Sequence, residues 1–226
     1  MKKSFKIILC SVICFLVFIA VSCGESEKKP NPLEITHKIL LETSEGNITL
    51  GLYGNGMPNT VANFAGYVER GFYNGLIFHR VVKGFVIQGG GLDENLNEKE
   101  TLAPIKLEMP PSEEVKDEKG KVTGRKLLIS HDKYTLAMAR RMDPDSAASQ
   151  FYITLAETPK LDPNPNTAQP NGYAPFGKVL EGFEVVDKIG AKTVTIKNMY
   201  RDVPVENVKI IKMSVVEKPE MNKEKK

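Results

Sequence analysis

The segment at residues 78–91, FHRVVKGFVIQGGG, constrains this chain most, because it combines a strand pattern with a charge in an apolar setting. Its β-formers are Val81, Val82, Phe85, Val86 and Ile87, which favour a β-strand, and the closing glycines end the run. Arg80 lies inside it, and an unpaired charge is costly to bury. Two interpretations stay open at this point. Either Arg80 faces solvent from an edge strand, or it belongs to a functional site together with Phe85 and Gln88.

A second segment favours the functional interpretation. Residues 135–153, TLAMARRMDPDSAASQFYI, read as a short apolar strand, a polar loop and a further strand. Together the motifs FHRVV-GF-IQGG, LAMAR, D-DSA-SQFYI and GYAPFGKVLEGFEVVDKI resemble the cyclophilin family of peptidyl-prolyl isomerases, in the family's order. The resemblance covers residues 39–216. The run GGGLDENLNEKETLAPIKLE is closer to the bacterial periplasmic branch than to the eukaryotic one.

Hydrophobic periodicity predicts a domain that is mainly β with two helices. Residues 39–43 and 48–53 flank SEGN, which is a hairpin signature. Residues 58–70 and 183–189 have helical periodicity, and a glycine follows each of them. Residues 208–216 are predicted to be the last strand. Several short strands with two helices suggest a closed β-barrel with a helix over each end. The resemblance implies that the barrel is antiparallel and eight-stranded.

The N-terminus predicts export. Three lysines within the first six residues precede an uncharged, mostly apolar stretch at residues 7–21, which is the layout of a secretory signal peptide. Cys23 follows small residues and resembles the lipidated cysteine of a bacterial lipobox. We predict a lipoprotein-type signal peptide at residues 1–22, a flexible tether at 23–37 and a membrane anchor at Cys23, facing the periplasm or the cell exterior. An ordinary signal peptide and a permanent transmembrane helix remain as alternatives.

The cysteine positions bear on disulfide formation, and the net charge bears on which binding partners are expected. Cys10 and Cys14 lie in the segment that export would remove, so the mature chain would keep only Cys23 and could form no internal disulfide. The formal net charge is +3, and the loss of the signal-peptide lysines brings it near zero. A neutral surface does not attract nucleic acid. We expect one monomeric domain at residues 38–217, followed by a charged tail at 218–226.

Residues 109–130, MPPSEEVKDEKGKVTGRKLLIS, depart from the family because they exceed the equivalent loop of its compact members. The charged turn DEKGK, followed by a possible strand at residues 126–130, predicts an inserted hairpin. Two roles stay open for it. One is a tolerated surface excursion, since a longer loop carries only a small closure penalty. The other is a rim beside the substrate groove that contacts the residues flanking the proline.

The resemblance also implies residue roles. Arg80 would donate a hydrogen bond to the prolyl nitrogen, and Gln88 would bind the peptide backbone or orient Arg80. His79 would be structural, and Lys160 stands where cyclosporin-sensitive members carry tryptophan. Each implied site residue has an alternative role in the core or in hydrogen bonding. The other implied contacts are Phe85, Met138, Tyr152 and Leu161 in the proline pocket, Ala139 and Gln150 in the groove, and Tyr173, where eukaryotic members have histidine.

Other chemistries find little support in the sequence. The three histidines are too scattered for metal-ligand spacing, and no cysteine pair joins them. No nucleophile elbow, phosphate-binding loop or dinucleotide motif occurs. The predicted function is therefore peptidyl-prolyl cis-trans isomerisation of proline-containing polypeptides among exported proteins, with no metal or cofactor. The alternative is a module or chaperone that binds proline peptides with little turnover.

Overall fold

The computed structural model describes residues 29–164, 166 and 170–218. The predicted signal peptide, the predicted lipidation residue Cys23 and residues 219–226 of the charged tail lie outside the described residues. Within them, the strands are β1 His37–Thr43, β2 Gly46–Leu52, β3 Ile77–Phe78, β4 Arg80–Val82, β5 Val86–Gly89, β6 Ser112–Lys116, β7 Val122–Leu127, β8 Thr135–Met138, β9 Phe151–Thr154, β10 Ala174–Glu181, β11 Val194–Lys197, β12 Tyr200–Pro204 and β13 Val208–Glu217. The helices are α1 Pro58–Glu69, α2 Phe183–Gly190 and a short 3₁₀ helix, Pro159–Leu161.

Nine strands form one antiparallel sheet in the order β3-β13-β1-β2-β10-β8-β9-β5-β4. The two outermost strands, β3 and β4, are consecutive in the chain, and only His79 separates them. Since β3 pairs with β13 and β4 pairs with β5, they are two halves of one strand that brings the sheet back on itself. Counting the two halves once gives eight strands. The predicted fold class, a mainly β antiparallel barrel with two helices, is confirmed.

The two helices pack against the barrel and help to fill its core. Helix α1 begins at Pro58, whose fixed φ and missing N–H suit a first helical turn. From α1, the Phe64 ring packs against Phe151 of β9 and Phe176 of β10, with ring centroids 5.5 and 5.0 Å apart. Helix α2 packs against β2 and β5. No helix of the described part of the chain is long and apolar enough to cross a membrane.

Strands β6 and β7 pair only with each other, and their side chains are almost all exposed. This hairpin occupies the segment where the sequence predicted an insertion. Its second strand differs from the predicted residues 126–130, because it begins at Val122 and ends at Leu127. The chain leaves the hairpin there because Ile129 is buried in the main core. The Asp117 carboxylate accepts the backbone N–H groups of the turn residues Lys119 and Lys121, both at 2.9 Å.

The folded domain extends further toward the N-terminus than predicted. The Thr36 N–H donates to the Leu52 carbonyl oxygen at 2.9 Å. The Asn55 side-chain amide donates to the Glu34 carboxylate at 2.8 Å. The tether predicted over residues 23–37 is therefore too long, because its last residues find hydrogen-bond partners on the barrel and strand β1 already begins at His37.

Candidate active site

Strand register brings three of the predicted site residues into one row across neighbouring strands. Arg80 of β4 lies opposite Gln88 of β5, and Gln88 lies opposite Tyr152 of β9. The row continues to Ala137 of β8. Residues directly opposite each other in a sheet have side chains on the same face, within contact distance. The barrel thus gathers on one face residues that are far apart in the sequence.

The polar part of this row is a chain of side-chain hydrogen bonds. Nη1 of Arg80 donates to Oε1 of Gln88 at 3.3 Å. Nε2 of Gln88 donates to Oε1 of Gln150 at 3.0 Å. Both ends of the Gln88 amide are therefore engaged, one on the guanidinium and one on Gln150. This geometry favours the orienting role among the two roles that the sequence left open for Gln88.

Asp202 approaches Arg80 from strand β12. Its Oδ2 lies 3.8 Å from Nε of Arg80, and the two side chains are 43% and 38% exposed. Ion pairs at this exposure contribute little to stability, since water and salt screen them. The φ of Asp202 is 59°, in the left-handed region that Asp adopts more readily than most residues. Sequence reasoning missed Asp202, because no motif links its hairpin to Arg80.

A small apolar cluster lies beside the polar row and is distinct from the main core. We call it the apolar cluster. It contains most of the residues that the resemblance assigned to the proline pocket and groove, together with two that sequence reasoning missed, Val86 and Ala137. Its members are Val86, Ala137, Tyr152 and Leu161, all buried, with the partly buried Phe85, Ala139 and Tyr173 packed against them.

Met138, which the resemblance assigned to the proline pocket, does not belong to the apolar cluster and lies in the main core. Successive side chains of a strand point to opposite faces. In β8, Leu136 and Met138 therefore lie in the main core, and Ala137 between them contributes to the apolar cluster. The alternation of strand faces along residues 135–138 is the sequence signal that could have identified Ala137. Val86 follows Phe85 directly and was hidden among the other apolar residues of its strand.

A buried hydrogen-bond chain supports Tyr152 behind the apolar cluster. The Tyr152 hydroxyl lies 2.8 Å from Nε2 of His131. Nδ1 of His131 lies 2.6 Å from Oδ1 of Asp162. The His131 side chain has no exposed surface. Burial raises the pKa of Tyr152 well above its usual range, so its hydroxyl keeps the proton. In the sequence, His131 figured only as one of three scattered histidines.

His79 is buried beside Arg80, between the two half-strands. Burial, and after it the neighbouring Arg80 charge, lower the pKa of His79 from 6.5 to about 4. His79 is therefore neutral near pH 7 and adds no second positive charge beside the guanidinium. Its Nδ1 has no hydrogen-bond partner among the described residues.

A cavity of about 690 Å³ extends from the polar row along the barrel surface. Gln88, Ala139 and Gln150 line it at the side of the candidate site. The predicted groove residues thus border both the cavity and the row that contains Arg80. The guanidinium of Arg140, which also lines the cavity, lies over the Tyr173 ring at 4.8 Å from its centroid. Among residues 29–164, 166 and 170–218, no group of three His, Cys, Asp or Glu side chains could hold a metal ion.

Comparisons with known proteins agree with this geometry. Residues 38–215 match the family model described as cyclophilin type peptidyl-prolyl cis-trans isomerase/CLD. A peptidyl-prolyl cis-trans isomerase of Acinetobacter baylyi is 43% identical over 175 residues, which cover 77% of this chain and 83% of that protein. Peptidyl-prolyl cis-trans isomerase B of Escherichia coli is 37% identical over 179 residues, covering 79% of this chain and 99% of that protein.

Solved structures show the same fold. A cyclophilin type isomerase of Cryptosporidium parvum superposes with a TM-score of 0.60 at 22% identity, over 81% of this chain and 99% of that one. A further structure of that protein was determined in the presence of the dipeptide Ala-Pro. The barrel and the relatives together define the class of this protein, which is a peptidyl-prolyl cis-trans isomerase. The chain belongs to the cyclophilin family.

Proposed function

We propose that this isomerase holds the proline ring of its substrate in the apolar cluster while Arg80 hydrogen-bonds to the prolyl nitrogen of the twisted amide. The observation that carries the proposal is that one row of paired strand residues runs from a hydrogen-bonded guanidinium to a buried apolar cluster. The guanidinium of Arg80, bonded to Gln88, lies two strands away from Tyr152, which is a buried member of the apolar cluster, and Gln88 lies between them. A proline residue presents the matching pair of groups, because its ring is apolar and its nitrogen belongs to the rotating bond.

The chemistry requires only that the twisted amide be bound better than either planar isomer. Resonance gives the C–N bond a rotational barrier of about 18–20 kcal/mol. As the bond twists, resonance is lost and the prolyl nitrogen gains a lone pair that can accept a hydrogen bond from Arg80. That hydrogen bond is absent from the planar states, so it lowers the barrier rather than only tightening binding. This route has no covalent intermediate and uses no metal or cofactor.

The residues on either side of the proline would lie along the barrel surface. The cavity beside Gln88 and Gln150 adjoins the polar row, and its lining is partly polar and partly apolar. We propose that it takes the polypeptide that flanks the proline. The polar side chains would meet the peptide backbone, and the cavity walls would meet side chains. The substrate class is therefore extended, proline-containing polypeptide.

A cis/trans assay on proline tetrapeptides with residues 24–226 tests this mechanism. We expect Arg80→Ala to reduce kcat/KM by about 10²–10³, the usual cost of removing a preorganised donor. Arg80→Lys should also lose most of the activity, because a flexible ammonium does not reproduce a planar fork of donors. Arg70→Ala, at an exposed arginine that follows helix α1, is the matched control and should not change the rate. Full activity of Arg80→Ala would exclude the mechanism.

We further propose that the protein is exported and anchored to a membrane through lipid on Cys23, so that its substrates are exported polypeptides. The support is the order of the first residues in the sequence: a basic end, an apolar stretch, small residues and a cysteine. A diacylglycerol on Cys23 would supply two acyl chains. One chain gives only marginal membrane binding, whereas two anchor a protein stably.

Metabolic labelling with a fatty acid, followed by membrane fractionation, tests the anchor. We expect the wild-type protein to take up label and to sediment with membranes. Cys23→Ser should lose the label, while the separate domain keeps its isomerase activity. A wild-type protein that takes up no label and is recovered in the soluble fraction would show that the segment is an ordinary signal peptide.

A further inference from the structure

His131 is bonded to both walls of the apolar cluster. Its Nε2 lies 2.8 Å from the hydroxyl of Tyr152, on strand β9. Its Nδ1 lies 2.6 Å from Oδ1 of Asp162, and its backbone N–H donates to the same oxygen at 3.1 Å. Its carbonyl oxygen accepts the N–H of Thr158 at 2.7 Å. Thr158 and Asp162 flank the 3₁₀ helix Pro159–Leu161, so one buried residue joins that helix to strand β9.

The hydrogen bonds around His131 also fix the backbone of Leu161. Its N–H donates to the Thr158 carbonyl oxygen at 3.0 Å, and its own carbonyl oxygen accepts the Tyr173 N–H at 3.0 Å. The ring of Tyr152 is stacked on the His131 ring, with an interplanar angle of 18°. The spacing between the Tyr152 wall and the Leu161 wall is therefore set through His131.

The hydrogen bonds also fix where the Tyr152 proton points. A carboxylate at Nδ1 of a histidine favours the tautomer that carries its proton on Nδ1. Nε2 of His131 then accepts the hydrogen bond of the Tyr152 hydroxyl. With the hydroxyl engaged by His131, Tyr152 offers its ring to the apolar cluster. The cluster therefore remains apolar although a tyrosine forms one of its walls.

We propose that His131 is a positioning residue of the isomerase, which sets the width of the proline pocket through Tyr152 and Asp162. The inference rests on the proposed function, because it takes the apolar cluster as the pocket for the proline ring. The ring is held alike in the planar and twisted states, since only the amide bond rotates. A widened pocket should therefore weaken both states equally. Such a loss raises KM and leaves kcat nearly unchanged.

Two substitutions separate the two ends of the hydrogen-bond chain. The amide of His131→Asn lies near the place of Nδ1 and can reach Asp162, whereas the longer His131→Gln can reach Tyr152. Each variant keeps one bond and loses the other. We expect each to raise KM for proline tetrapeptides by about three- to tenfold, with kcat within about twofold of wild type. His37→Gln, at a half-buried histidine of β1, is the matched control and should keep the wild-type KM.

Tyr152→Phe tests the same chain from its other end and keeps the ring. It should raise KM by about the same factor, because it removes only the hydroxyl that His131 holds. Direct titration with a proline peptide should show the matching rise in Kd. Thermal unfolding of every variant gives the folded fraction. If the His131 variants do not fold, Tyr152→Phe decides, and a wild-type KM for it overturns the proposal.

If His131 had only a structural role, its variants would have a lower melting temperature, but their folded fraction would keep the wild-type KM. That result would overturn the proposal. Arg80→Ala, assayed in parallel, distinguishes a failure of the proposed role of His131 from a failure of the proposed isomerase mechanism. If Arg80→Ala loses its activity and the His131 variants keep their KM, only the role of His131 fails. If Arg80→Ala keeps full activity, the proposed mechanism fails first.

Discussion

The two sides of the candidate site are held in different ways. On the apolar side, Tyr152 is 4% exposed and Leu161 is 9% exposed. His131 lies 2.8 Å from the Tyr152 hydroxyl and 2.6 Å from the carboxylate of Asp162, the residue that follows Leu161. On the polar side, Arg80 is 38% exposed, and its side-chain contacts are longer, at 3.3 Å to Gln88 and 3.8 Å to Asp202.

This difference suits a rotation about a single bond. One end of the amide has to be gripped so that the other can turn, and buried walls with short hydrogen bonds provide the grip. The donor has to engage a nitrogen whose geometry changes during the rotation. A half-exposed guanidinium on a long side chain can adjust to it at little cost in stability. Folding and function therefore depend on the same residues in the apolar cluster, whereas they are separable at Arg80.

Unfolding experiments test that separation and should give the largest effect. We expect Tyr152→Ala to reduce the free energy of unfolding by about 3–5 kcal/mol, the usual cost of removing a buried aromatic ring. Arg80→Ala should change it by no more than about 0.5 kcal/mol, because the side chain is half exposed and its ion pair is weak. Urea denaturation of both variants measures the two values. Equal losses would remove the distinction between the two sides.

The sequence predicted best what depends on local pattern. Alternation, helical periodicity and glycine stops predicted the helices and several of the strands to within a few residues, and the family resemblance predicted the barrel. Arg80, Phe85 and Gln88 lie in one continuous motif, so their proximity could be expected before the structure was known. The structure shows Arg80 bonded to Gln88, with Phe85 packed against the neighbouring apolar cluster.

What the sequence did not predict depends on contacts between distant segments. Asp202 reaches Arg80 from another hairpin, and His131 joins two walls that only the fold brings together. Met138 was assigned to the pocket from its motif. The face that it occupies follows instead from the alternation of β8, which directs Ala137 to the apolar cluster. Motif position alone therefore did not predict which face of the strand Met138 occupies.

A double-mutant cycle between Asp202 and Arg80 should show a smaller effect, and it measures whether Asp202 acts on the site through the guanidinium. Asp202 has φ 59°, which glycine adopts without strain, so Asp202→Gly removes the carboxylate and relaxes the backbone. We expect kcat/KM to fall by about two- to fivefold, in line with an exposed ion pair worth at most about 1 kcal/mol. In the Arg80→Ala background, Asp202→Gly should have no effect.

The same cycle has two internal controls. Asp202→Asn keeps a residue that tolerates the left-handed region but removes the charge, so it should resemble Asp202→Gly if charge is what matters. High salt should reduce the difference between wild type and both variants, because exposed ion pairs are screened. An equal loss from Asp202→Gly with and without Arg80 would mean that Asp202 acts on the site independently of the guanidinium.

Lys160 should give the smallest effect on catalysis, because it lies at the edge of the apolar side. Its ammonium lies 4.0 Å from the centroid of the Phe85 ring. An exposed cation–π contact contributes about 0.5–1 kcal/mol, so Lys160→Ala should change kcat/KM by less than about fivefold. Cyclosporin should inhibit the wild type only weakly, since the indole of sensitive relatives is replaced by this charge. Lys160→Trp should restore apolar area and a donor beside Phe85 and strengthen the inhibition. Nanomolar inhibition of the wild-type protein would show that the apolar side binds the macrocycle without an indole.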